Sequence, residues 1–354
     1  MTPITTDDLR AAVQAGHLSE AQAARLATLA QARAGIRDGL GPDDEPFELF
    51  RGFAEIFIAV GLLIGLTGMV GLAGLMADPA AVAAIGAVLC LALAWYFTRV
   101  RRMVLPSIVL VCGFALAVLT LATWWLTRNV TLDSNFKMLG LTGIGMTAAS
   151  LAAWYALFRL PFTMLLIGLC GLAAVFVLND TTVWQDWTRM LDLTGASGLG
   201  TGVLVFGMIA ALAGLAFDMR DPHRLGRASA SAFWLHLLAA PAIVNTLAIT
   251  AMNADSPAAT YAGLAAVLAL VTLIALILDR RSFLTAGLGY LAWLIWALTS
   301  RNGAGLDWPA VLVLIGAAVT ALGAWWTGLR AALMRLLPEF PGKHRLPPYE
   351  KGDL

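Results

Sequence analysis

Residues 104–126 read VLPSIVLVCGFALAVLTLATWWL, 23 positions without a charged side chain. As an α-helix such a run is roughly 35 Å long, enough to cross a hydrocarbon layer of about 30 Å. Similar apolar runs recur on both sides of it. Window hydropathy places about ten spans, at 53–76, 80–98, 104–126, 138–158, 160–178, 198–217, 229–250, 258–278, 283–299 and 309–327. The expected fold is therefore all-α, a polytopic transmembrane helical bundle with short connections between antiparallel neighbours.

Composition agrees. Of 354 residues 60% are hydrophobic and 13% charged, with a mean hydropathy of +0.80. Soluble domains carry about 25% charged residues, so the chain does not read as a soluble enzyme, a nucleic-acid binder or a disordered scaffold. Net charge is +1, from 23 Lys and Arg against 22 Asp and Glu, which gives no global field for a polyanion. Cys90, Cys112 and Cys170 all fall inside apolar runs and form no CxxC, so they read as small buried hydrophobes. The polar, acidic start MTPITTDDLR predicts no cleaved leader, with the first span acting as the insertion signal.

The first fifty residues differ from the rest. Thr5 or Thr6 begins a short helix over Asp7 to Gln14, and Gly16 follows its end. Ser19-Glu20-Ala21-Gln22 is a capping box opening a second helix. Residues 1–40 are thus expected to form a helical hairpin with Leu9, Val13, Leu18, Leu26 and Leu29 as its core. So small a unit buries too little to stand alone, and it calls for a docking partner: the membrane domain, a second copy, or another protein. An acidic linker, 41–52, leads to the membrane domain, 53–327, and a basic, Pro-rich tail occupies 328–354.

Basic residues set the orientation. One set of alternate loops holds Arg99, Arg101, Arg102, Arg159, Arg220, Arg224, Arg227, Arg280 and Arg281; the other holds Arg128, Lys137, Arg189 and Arg301. Both termini are expected in the cytoplasm of a bacterial cell with the chain in its inner membrane, consistent with an even number of spans.

Intramembrane polar groups are costly, so each one is a hypothesis about function. Glu55 lies about one turn inside the first span, and His236 lies in the seventh, at a comparable shallow depth from the cytoplasmic side. In contact, they would form a proton-responsive pair. The plainer reading makes Glu55 a carboxylate at a helix N-terminus or a partner of Arg51, and His236 a neutral ring bonded to a neighbouring carbonyl. Pro241 removes a backbone hydrogen bond from the seventh span and predicts a kink. Asn245 lies nine residues beyond His236, about half a turn away in direction. In the outer connection 179–196, Trp184, Trp187 and Leu191 fall at i, i+3 and i+7, as in a helix lying in the interface. It is either an aromatic anchor or a lid over an outward-facing pocket.

Glycines concentrate in the first and sixth spans: Gly61, Gly65, Gly68, Gly71 and Gly74, then Gly198, Gly200, Gly202, Gly207 and Gly214. Close helix packing explains such spacing. A five-plus-five inverted repeat, as in secondary transporters, is the functional alternative. No P-loop, HExxH, haem-ligand pair or nucleotide-binding glycine motif occurs, so no metal or cofactor is expected.

The segments LRAAVQAGHLSEAQAARL (9–26), FRGFAEIFIAVGLL (50–63) and FWLHLLAAPAIV (233–244) resemble uncharacterised bacterial inner-membrane proteins of an alphaproteobacterial type. These combine a short cytoplasmic helical region with a long run of spans. The resemblance implies that layout, but no activity and no functional residue.

Three functions come into question. A permease-like transporter for a small, neutral or largely apolar solute rests on the spans, the glycine pattern and the kinked helix. A scaffold or sensor recruiting a partner through the hairpin rests on the distinct N-terminus. A lipid-modifying enzyme would require a polar constellation that the spans do not display.

Overall fold

The apolar runs become helices because inside a bilayer every backbone N–H and C=O must find a partner within its own segment. The structure, a computed structural model, describes residues 6–33, 53–76, 78–129, 136–179, 191–194, 198–221, 224, 227–301, 308–339 and 342–347. Among the described residues there are helices and turns but no strand. The chain divides into two units, Met1–Ile167 with His223–Ala230, and Gly168–Pro222 with Ser231–Leu354.

The first unit begins with α1 (Thr6–Gln14) and α2 (Glu20–Arg33). The capping box forms as expected: the Gln22 amide donates to Ser19 Oγ at 3.2 Å, and the Ser19 amide donates to Gln22 Oε1 at 2.9 Å. Gly16 takes the left-handed conformation that ends α1. The hairpin's core differs from expectation. Ala23 and Ala27 are buried, whereas Leu26 and Leu29 stand exposed at 46% and 55%. Alanines allow the two short helices to approach closely, which turns the leucines outward.

Then come α3 (Phe53–Met76), α4 (Pro79–Ala94), α5 (Val104–Asn129) and α6 (Phe136–Phe158). Asp78 caps α4 and also accepts from Trp124 Nε1 at 3.1 Å, joining α4 to α5. The last turn of α4 widens into a π-helical stretch, Trp95–Val100, and Thr98 Oγ1 there donates to Ser107 Oγ at 2.8 Å. Trp154 packs between Phe114 and Phe158, with ring centroids 4.7 Å apart in each pair.

The second unit contains most of α7 (Thr163–Leu178), α8 (Leu199–Asp218), nearly all of α9 (Arg227–Met252), α10 (Pro257–Leu278), α11 (Ser282–Arg301), α12 (Trp308–Ala324) and α13 (Trp326–Leu336). Its core joins Leu199, Val203, Phe206 and Ala210 of α8 to Ala239, Ala240, Ile243 and Val244 of α9, with Val271, Ala275, Phe283 and Trp326. The glycines of α8 make this approach. A Cβ on Gly207 would lie 2.8 Å from Ile243 Cγ1, and one on Gly214 would lie 2.8 Å from the His236 ring. In α3, by contrast, a Cβ on Gly61, Gly65, Gly68, Gly71 or Gly74 would meet nothing within 4 Å.

Every expected span coincides with a helix, but not all are long. Among the described residues, seven helices are long and apolar enough to cross a membrane, or eight if the bent pair Leu312–Ala324 and Trp326–Leu336 is one span. Thr163–Leu178 and Ser282–Leu298 are shorter apolar helices. Within the run expected as a span at 309–327, the helix bends by 66° after Ala324. Trp326 and Arg330 are drawn to the end of α10, and this pull sets the new direction. The acidic linker, Trp184 and Trp187 lie outside the described residues.

Candidate functional site

The carboxylate of Asp218, the last residue of α8, is 3% exposed. A helix C-terminus carries partial negative charge and disfavours an acid there, so Asp218 needs a cation. Arg280 supplies it from the end of α10. The turn is built for the purpose. Asp279 adopts φ 55°, and its amide and that of Arg280 both donate to the Ala275 carbonyl, closing α10 with a left-handed C-terminal cap. The Arg280 side chain, 1% exposed, grips Asp218 in a fork: Nε donates to Oδ2 at 3.2 Å and Nη2 donates to Oδ1.

His236 of α9 completes the group. It is 0% exposed, with Nε2 3.0 Å from Asp218 Oδ2. An ionised carboxylate only accepts, so Nε2 carries a hydrogen, and in the neutral ring Nδ1 is then a bare lone pair. Nδ1 is buried without a hydrogen-bond partner. Phe283 covers the ring at 5.7 Å between centroids, and Gly214 of α8 lets the ring lie against the helix backbone. Asp218, Arg280 and His236 thus come from three elements of one unit.

Asp279 faces away from this trio. Its Oδ1 accepts from Trp326 Nε1 at 2.7 Å and lies 3.7 Å from Arg330 Nε. Arg330, itself buried, also donates to the Leu276 carbonyl at 3.2 Å and to the Pro347 carbonyl. Consecutive residues of one turn therefore hold the trio on one side and α13 on the other.

Glu55 follows its plainer reading. It accepts from the amides of Val104 and Leu105, at 3.2 and 3.4 Å, and so caps α5 from α3. Glu55 belongs to the first unit and His236 to the second, and each has hydrogen-bond partners within its own unit. Pro241 lies within α9, which continues as one helix to Met252. Asn245 accepts from the Tyr290 hydroxyl at 3.0 Å, apart from the histidine's partners.

Asp218 and Arg280 were not singled out by the sequence reading, which set Asp218 just outside the sixth span and counted Arg280 only as a loop cation. A signal was present. Asp218 ends one span, Arg280 follows another, and Gly214 lies one turn before Asp218, on the same face.

At the opposite end of α9, Asp192 is bonded by the Thr194 amide at 2.9 Å, the Thr194 hydroxyl at 2.8 Å and Asn253 Nδ2 at 2.9 Å. Burial alone pushes its carboxyl up, but these donors outweigh burial and hold it below the usual carboxylate range. This cluster is a structural tie for the chain entering α8. Among the described residues no group of three or more His, Cys, Asp or Glu is placed to hold a metal ion.

Comparison with protein-family models, curated proteins and solved structures returned no match.

Proposed function

We propose that the chain is an integral protein of a bacterial inner membrane, with ten spans and cytoplasmic termini, and that it carries a small solute across the bilayer. The observation behind this reading is the Asp218–Arg280–His236 trio, a carboxylate, a guanidinium and an imidazole buried together within one unit. Stability is a weak reason for such a group. A buried ion pair loses much of its attraction to desolvation, and apolar residues of equal volume are often as stable. Inward-facing ionisable groups in membrane helices mark solute and ion pathways instead. The solute is small and neutral or weakly polar, since the trio already balances its own charge. By this reading the alphaproteobacterial-type proteins it resembles are its relatives.

A second reading, a scaffold or sensor, is favoured by one observation. Leu26 and Leu29, three residues apart on α2, are exposed large apolar side chains that give the helix an apolar edge.

Proteoliposomes of the wild type and Asp218→Asn, assayed for uptake of a panel of radiolabelled small neutral solutes, separate the two. Transport is expected to give a solute uptake at least tenfold smaller in the variant. Uptake absent from both, together with loss of a copurifying protein on deletion of residues 1–40, would overturn transport in favour of the scaffold.

A further inference from the structure

We infer that the ion coupled to this carrier is the proton, taken up on Nδ1 of His236. The inference rests on the transport reading for its meaning as a coupling step, although the protonation itself is measurable without any solute.

The geometry singles out one atom. Nε2 is committed to Asp218 as a donor, and Asp218 is committed to Arg280 through both oxygens. The remaining ring nitrogen is a buried acceptor that no donor meets. Buried polar atoms in folded proteins are nearly all paired, and an exception calls for an explanation. A proton acceptor that is filled in one state and empty in another supplies it. Imidazole is also the side chain whose charge changes across the physiological pH range.

Among the described residues, Asp218 and Gly214 of α8 and Phe283 of α11 lie against the ring, and Arg280 of the turn after α10 shares Asp218 Oδ2 with it. The ionisable ones among them are Asp218 and Arg280. The neighbouring charge, Asp279, is engaged by Trp326 and Arg330.

With a neutral ring the trio sums to zero, one carboxylate against one guanidinium. A proton from the aqueous phase, bonded to the Nδ1 lone pair, makes the ring an imidazolium and the trio +1. No other bond forms or breaks, and the proton leaves by the reverse step. The imidazolium then competes with Arg280 for a single carboxylate, and the two cations repel each other in a low dielectric. Arg280 is fixed at the end of α10, so its displacement carries the turn between α10 and α11. The ring is fully enclosed, so the proton enters only when this packing opens. Uptake and conformational change are therefore one event, a shift between two populations.

The test uses the full-length chain with His17, His223 and His344 replaced by Gln, leaving His236 as the one 15N-labelled imidazole. In lipid bilayers, solid-state 15N NMR reads both ring nitrogens between about pH 5 and about pH 9, with helical circular dichroism confirming the fold. The expected result is a protonated Nε2 throughout and an Nδ1 that changes from bare to protonated on acidification. An Nδ1 that stays bare across the range, or a ring protonated at every pH, overturns the proposal. If the wild type carries a solute while Nδ1 never takes a proton, this inference alone fails. If Nδ1 titrates in a protein that moves no solute, transport fails and the proton site stands.

Discussion

Arg280 and Asp218 form a pair in which each partner is tolerable only because of the other. Replacing Arg280 by Ala leaves Asp218 buried, at a helix C-terminus, with only His236 to answer it, a loss on the order of 3–5 kcal/mol. Arg280→Met combined with Asp218→Asn removes both charges and is expected to recover most of that loss. Thermal unfolding in detergent checks this. Losses that simply add in the double variant would show that the two side chains are not coupled. The importance of Asp218 was not legible in the sequence, because its burial is produced by α9 and α10 closing over it. His236 stood out because a histidine amid apolar residues needs no partner to be conspicuous.

At the level of elements, α3 and α8 look alike in sequence and behave differently. Both have glycines at helical spacing, yet only those of α8 touch a neighbour. Gly214→Ala would push a methyl into the His236 ring and is expected to cost about 1–3 kcal/mol, as overpacking does. Gly61→Ala meets open space and is expected to be neutral or slightly stabilising through helix propensity. Equal melting temperatures for the two variants would refute the distinction. Local signals were readable where chemistry is local: the Ser19–Gln22 box opens α2 as the sequence predicts. The 66° break after Ala324 was not, since hydropathy runs on through Trp325 and Trp326. It is set by Trp326 and Arg330 reaching a carboxylate 47 and 51 residues earlier (326 − 279 = 47; 330 − 279 = 51).

For the whole molecule, the apolar runs made the helical membrane fold plain, since the need to pair backbone groups leaves them little alternative. The number of spans is harder to read, because α7 and α11 are apolar yet short. The proposed ten-span topology has a direct test. A fluorescent protein fused after Leu354 is expected to fluoresce and an alkaline phosphatase fused there to be inactive, with the same result for fusions before Met1. Opposite results at the two ends would require an odd number of spans.

The turn at Asp279 and Arg280 also fixes an order of events during synthesis. Its tether to α13 depends on Trp326, 47 residues downstream. At about 5–20 residues per second the ribosome takes about 2–10 seconds to supply it. During that interval α8, α9 and α10 are already made, but the Asp279 carboxylate lacks Trp326 and Arg330. A nascent chain stopped before α13 therefore leaves the turn that anchors the buried trio without its tether to α13. Quality control that senses an untethered turn at the membrane would read the arrival of α13.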